Sequence, residues 1–159
     1  MCLSFSFIHI SGLQRWVELL LLFLIGSENI IFEDSCYVFT ESRKTWTENR
    51  KTCADKGGDL VTMETEKEWQ FINKEIQKRT TPTKWYIGLE NMGQEWKWVN
   101  GRPLTISKWR DEEPSGHGNV GEIVKGYRPN TQGLFNDLPG SNGRVSICEI
   151  LKGNAIIDR

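Results

Sequence analysis

Residues 28–40, ENIIFEDSCYVFT, mix apolar and polar positions with aromatic and β-branched side chains, which predicts a strand or a hairpin edge. In the next segment, KTWTENRKTCADKG, Trp46, Cys53 and Ala54 fall near helical spacing. Gly57 and Gly58 end that run, as glycines just past a helix do. A short strand, DLVTM, follows. In ETEKEWQFINKEIQKRT, Trp69, Ile72 and Ile76 recur at i, i+3 and i+7. Acidic residues crowd its start and Lys78 and Arg79 its end, which complements a helix dipole. A second helix is the clearest element in the chain.

Beyond Thr80 the period changes. TPTKWYIGLEN predicts a compact strand, and EWKWVNGRPLTISKW alternates around an Asn100–Gly101 turn. Glycine, proline and polar residues then dominate residues 111–143, relieved only at Ile123–Val124 and Leu134–Phe135. So long a stretch with little regular structure is usually functional. RVSICEIL closes the pattern as a strand. Strand, helix, strand, helix, then strands around a long loop predict an α+β fold. A chain of 159 residues suits one such domain.

The N-terminal segment differs. Residues 16–26, WVELLLLFLIG, form an apolar run too short, and with Glu18 too interrupted, to span a membrane. Small residues after a short apolar run read as a secretory signal over residues 1–27. A single domain over 28–159 then follows, secreted and extracellular; a short membrane anchor is the other reading of the leader. Cys2 falls in the leader, so Cys36, Cys53 and Cys148 leave one thiol over in the mature chain. No C-x-x-C spacing or Cys/His cluster occurs, which argues against structural zinc.

Charge and motif content exclude other classes. Twenty basic against 21 acidic residues leave no basic field for nucleic acid. His9 and His117 are the only histidines, and no G-x-S-x-G, H-E-x-x-H or phosphate-loop pattern occurs. Glu112 and Glu113 are adjacent, so they cannot flank one glycosidic bond from opposite sides. The chain reads as a binding protein and not an enzyme. Its seven Trp read mainly as anchors: Trp46, Trp69, Trp96 and Trp98 in the core, Trp109 beneath the loop. The candidate chemistry lies in RDEEPSGHGNVGEI, residues 110–123, which alone would pass for a solvated acidic turn.

Taken in register over roughly residues 30–150, these segments resemble the C-type lectin-like domain family. CYVF resembles its first strand, KTWTENRKTC its first helix, and GGDLVTM the strand after it. WYIGLEN looks like the W-I-G-L signature with Tyr86 at the Trp position, and WKWVNGRPLTISKW like W-x-W-x-D-G-x-P with Asn100 at the Asp position. EEPSGHG resembles the E-P-N loop, FND the W-N-D strand, and SICE the closing strand. The resemblance implies two helices packed on antiparallel sheets, a long ligand-binding loop, and a disulfide joining Cys53 to Cys148. Val120 and Gly140 stand where the family's second disulfide falls. Cys36 lacks the upstream partner many relatives have, which leaves it unpaired and buried or bridging two copies of the chain.

The resemblance also implies calcium. Hard cations take six to eight oxygens. Carried over by position, Glu113, Ser115, Asn136 and Asp137 are expected both to ligate Ca2+ and to meet a sugar diol, with His117 flanking the sugar. A cis bond is expected before Pro114. Ser115 replaces an amide, and the family's extra acidic ligand maps to Gly121, with Asn119 and Glu122 on either side; Glu122 is the candidate carried forward. Trp109, His117 or Tyr127 could stack on a galactose face, so the sugar class stays open. The expected function is a secreted, calcium-dependent carbohydrate-binding protein whose partner is a glycan or glycoconjugate. The alternative is a calcium-independent protein-recognition module on the same fold.

Overall fold

The computed structural model describes residues 29–93 and 95–151. The proposed signal peptide or anchor, residues 1–27, lies outside the described residues. Among the described residues, no helix is long and apolar enough to cross a membrane.

Helix α1 (Trp46–Ala54) starts at Thr45, whose hydroxyl accepts the Glu48 N–H at 3.4 Å. Glu48 Oε2 accepts the Thr45 N–H in return at 2.9 Å, completing a capping box. Helix α2 (Glu66–Gln77), capped by Thr65, buries Ile72 and Ile76 as the apolar spacing predicts. Trp69 is half-buried, and its Nε1–H donates to the Gly133 carbonyl at 2.7 Å.

Among the described residues, eight strands form the sheet. They are β1 (Asn29–Phe32), β2 (Ser35–Phe39), β3 (Asp59–Leu60), β4 (Lys84–Asn91), β5 (Trp96–Trp98), β6 (Val120–Val124), β7 (Leu134–Leu138) and β8 (Val145–Leu151). Their order is β1-β2-β8-β4-β6-β7, with β3 on β8 and β5 on β4. The pairing of β4 with β8 is parallel, so the sheet is mixed rather than wholly antiparallel. Alternation along β4 divides the core in two. Trp85, Ile87 and Leu89 join Ile72, Ile76, Trp98, Ile123 and Phe135 beside α2. Tyr86, on the other face, joins Trp46, Cys53, Leu60, Val120 and Leu138 beside α1.

Cys53 and Cys148 are bonded, with their Cα atoms 5.2 Å apart, so α1 is clamped to β8 as the resemblance implies. Cys36 is a correction. It is buried, but it is disulfide-bonded, and among the described residues no cysteine is free. The supposed irregular stretch is a second correction. Within residues 111–143 the strands β6 and β7 pair antiparallel, so only residues 111–119, 125–133 and 139–143 of that stretch lie outside strands. In β6 and β7, Gly121, Glu122, Asn136 and Asp137 interrupt the apolar alternation that would have marked them as strands.

A carboxylate network ties α2 to the sheet. Tyr37 Oη donates to Glu68 Oε1 at 2.8 Å, and Glu149 accepts from Ser35 Oγ at 2.7 Å and from Thr62 Oγ and N–H at 3.2 Å. Burial pushes the Glu68 carboxyl up from 4.5 to about 7; nearby Glu149 and Glu64 add to the rise, and bonds from Tyr37 and the Glu64 N–H oppose it without cancelling it. The folded state therefore holds its proton more tightly than the unfolded chain. The stability contribution is full below 4.5 and is lost as pH rises through about 7. We expect wild-type stability to fall by on the order of 1–2 kcal/mol across that window, after allowing for partial solvent screening. Urea titrations of wild type and Glu68→Gln from pH 4 to 8 check this; Glu68→Gln flattens that part of the profile.

Candidate functional site

The site forms where the loop after β5 meets β7. Trp109 bridges to Phe135, and the Phe135 N–H donates to the Lys108 carbonyl at 2.6 Å, fixing the loop's entry. Trp109 also packs edge-on against Trp96, with centroids 4.9 Å apart, and against Phe135 at 6.1 Å. It is an anchor beneath the loop. The chain then turns with Glu112 and Gly116 in the left-handed region, and the Glu113–Pro114 bond is cis.

This turn brings Glu113, Ser115 and Asp137 together. The Ser115 N–H and Oγ–H each donate to Asp137 Oδ1 at 2.7 Å. The Gly118 N–H donates to Asp137 Oδ2 at 2.7 Å. Glu113 Oε2 accepts the Ser115 N–H at 3.0 Å and the Asp137 N–H at 3.5 Å. Burial alone would raise the Asp137 carboxyl. Hydrogen bonding with Glu113, the Ser115 hydroxyl and the amides of Gly118 and Ser115 outweighs it and holds the group at about 2. Asp137 is therefore an anion throughout the physiological range.

Glu122 and Asn136 form a separate group. Strand alternation puts Asn136 on the opposite face of β7 from Asp137. Its Nδ2 donates to Glu122 Oε1 at 3.2 Å and to the Asp137 carbonyl at 3.1 Å. Glu122 is 0% exposed, with Arg144 Nε 2.7 Å from Oε2 and Lys84 Nζ 3.2 Å from Oε1. Sequence reasoning missed these two cations and the Gly118 amide. The repeated glycines in GHG were the one available sign of a close backbone approach.

The remaining candidates separate by position. His117 is exposed on the turn. Tyr127 is 88% exposed, on the connection that follows the Val124–Leu134 pair. Asp137 lies at the other end of that hairpin, opposite Gly121, so Tyr127 cannot stack on a sugar held there. The tip of β4 is tied to the loop through the Asn91 N–H and the Asn119 carbonyl at 2.9 Å, which places exposed Met92 at the site's end of the molecule.

Calcium takes six to eight oxygens, with carboxylates prominent among them. Here two carboxylates and one hydroxyl converge, both Asp137 oxygens already accept protein donors, and Glu122 is neutralised elsewhere. Among the described residues, no group of three or more His, Cys, Asp or Glu side chains is placed to hold a metal. The arrangement does not fit a calcium ion held jointly by Glu113, Ser115, Glu122, Asn136 and Asp137.

Val120 and Gly140, where a loop disulfide would fall, lie together. A Cβ built on Gly140 sits 3.5 Å from Val120 Cγ1. We expect the double substitution Val120→Cys and Gly140→Cys to form a bridge. Its stabilisation should be about 3 kcal/mol for a loop of this length. Urea unfolding with and without reductant checks it.

Comparison with known proteins gives the same fold. Residues 42–150 match the Lectin C-type domain family. Over 120 residues, 74% of the chain, it is 33% identical to human C-type lectin domain family 17, member A, and spans 30% of that protein. The Ca2+-independent C-type lectin SPL-2 from Saxidomus purpuratus superposes with a TM-score of 0.70 at 26% identity, covering 79% of this chain and 91% of that one. The cow CD23 carbohydrate-recognition domain, solved in the presence of GlcNAc2Man3 oligosaccharide, superposes with a TM-score of 0.64 at 28% identity, covering 77% and 92%. With its helices, mixed sheet and long loop in the same arrangement, this chain belongs to the C-type lectin domain family, whose members are binding domains and not enzymes.

Proposed function

We propose that this domain binds carbohydrate, as a glycan or glycoconjugate outside the cell, on the face made by residues 113–118 and β7. The observation that carries this reading is the meeting of Glu113, Ser115 and Asp137 from two segments far apart in sequence. Sugar hydroxyls both donate and accept, and a carboxylate beside a hydroxyl answers both. Cow CD23, the similar domain solved with an oligosaccharide, supports the ligand class. Of the residues that the resemblance assigns to calcium, Glu113 and Ser115 serve here as direct sugar contacts, with buried Asp137 holding Ser115 in place and His117 at the rim. Glu122 and Asn136 support the strand behind them. The bonded cysteines support a secreted or extracellular setting, since disulfides persist in oxidising compartments.

A glycan array tests the proposal, with protein displayed in many copies because single lectin sites gain affinity through multivalency. Wild type and Glu113→Gln are compared in calcium and in EDTA. Bound glycans whose signal falls about tenfold in Glu113→Gln support the reading, one charged hydrogen bond being worth that much. The second reading is a protein-recognition module on the same face, favoured by the engagement of both Asp137 oxygens. No glycan signal in either buffer would leave that reading in its place.

A further inference from the structure

We infer that this loop face is latched by the protein's own hydrogen bonds where a metal ion would otherwise hold it, so that its conformation needs no calcium. Asp137, only 4% exposed, is the post of the latch. Two backbone amides and one hydroxyl close on its two oxygens, all at 2.7 Å. The donors come from Ser115 and Gly118, so the segment between them is pinned at both ends.

Two glycine positions near Asp137 exclude an added acidic side chain. A Cβ at Gly118 would lie 2.1–2.2 Å from the Leu138 backbone, so no side chain fits there unless β7 moves. A Cβ at Gly121 would meet Leu89 Cβ at 2.9 Å. Glu122 can serve a metal only by leaving Arg144 and Lys84, two cations already within bonding distance. The Asp137 carbonyl, another candidate oxygen, accepts from Asn136 Nδ2 at 3.1 Å. With Asp137 closed by protein donors and Glu122 held by Arg144 and Lys84, the arrangement makes bound metal redundant.

The decisive measurement is amide hydrogen exchange at Ser115 and Gly118 in the full chain, with calcium and with EDTA. Exchange at both amides should differ by less than about twofold between the buffers, because the acceptor is protein in either case. Asp137→Asn replaces one acceptor oxygen by an amino group. It should speed exchange at Gly118 or Ser115 by about tenfold or more, equally in both buffers. Calorimetry with Ca2+ alone should give no saturable heat. Protection that appears only with calcium, or saturable one-to-one Ca2+ binding, overturns the inference. None of these readouts depends on glycan binding, so the carbohydrate proposal can fail without touching this one.

Discussion

Replacing both Cys53 and Cys148 by alanine is expected to lower stability by about 4–5 kcal/mol, the entropy of closing a loop of this length. The bridge spans 95 residues and joins the last turn of α1 to β8. Strand β8 is the hub of the sheet, pairing with β2, β3 and β4, so its tether restrains most of the fold. Both cysteines are fully buried in the core beside α1, and alanine leaves a small void there besides the lost constraint. Reduction would be a poorer test, because Cys36 is bonded as well and would open with it. Urea unfolding of the double variant therefore isolates this bond. A loss below about 1 kcal/mol would mean that the denatured chain retains the clamp's topology without it.

How much was legible in advance follows from where each element puts its apolar residues. Helix α2 has one buried face, so Ile72 and Ile76 announced it. Strand β4 was legible because Trp85 to Leu89 face two cores and form a nearly continuous buried run. Strand β6 was not, and β7 was legible only through the likeness of FND to the W-N-D strand. Glu122 and Asp137 are buried because charge and hydrogen bonding offset their desolvation, and a letter code shows the carboxylate but not its partners. The second arm of the expected hairpin failed differently. Past Gly101 only a single bridge, Lys97 to Pro103, continues the pairing. Residues 104–109 instead pack Leu104, Ile106 and Trp109 against the core as a loop.

At the site, Glu113, Ser115 and Asp137 were legible through the family resemblance, and their convergence is present. What position alone could not carry is direction. Carrying Asn136 and Asp137 over as a pair treats neighbours in a strand as though they shared a face. Alternation sends one to Glu122 and the other to Ser115. The Gly118 amide was hidden for a simpler reason: a backbone donor has no letter of its own.

The group around Glu122 gives the second large effect. Arg144→Met is expected to cost about 3 kcal/mol or more, because it strands a buried carboxylate with weaker compensation. Lys84 remains at 3.2 Å, but its side chain is 40% exposed, and attraction across that boundary is partly screened. Adding Glu122→Met should recover much of the loss. The buried charge is then gone, Lys84 can turn to water, and Met fills the volume beside Val120 and Leu138. A double-mutant cycle read by urea unfolding checks the order: the Arg144→Met single variant should be less stable than the double. The same cycle tests what Glu122 does. If the carboxylate waits for a metal, Arg144→Met frees it, and calcium should raise the stability of that variant. If it is a structural anchor for Asn136 and β7, calcium leaves all four proteins alike, and the arginine is the cation this strand was built around.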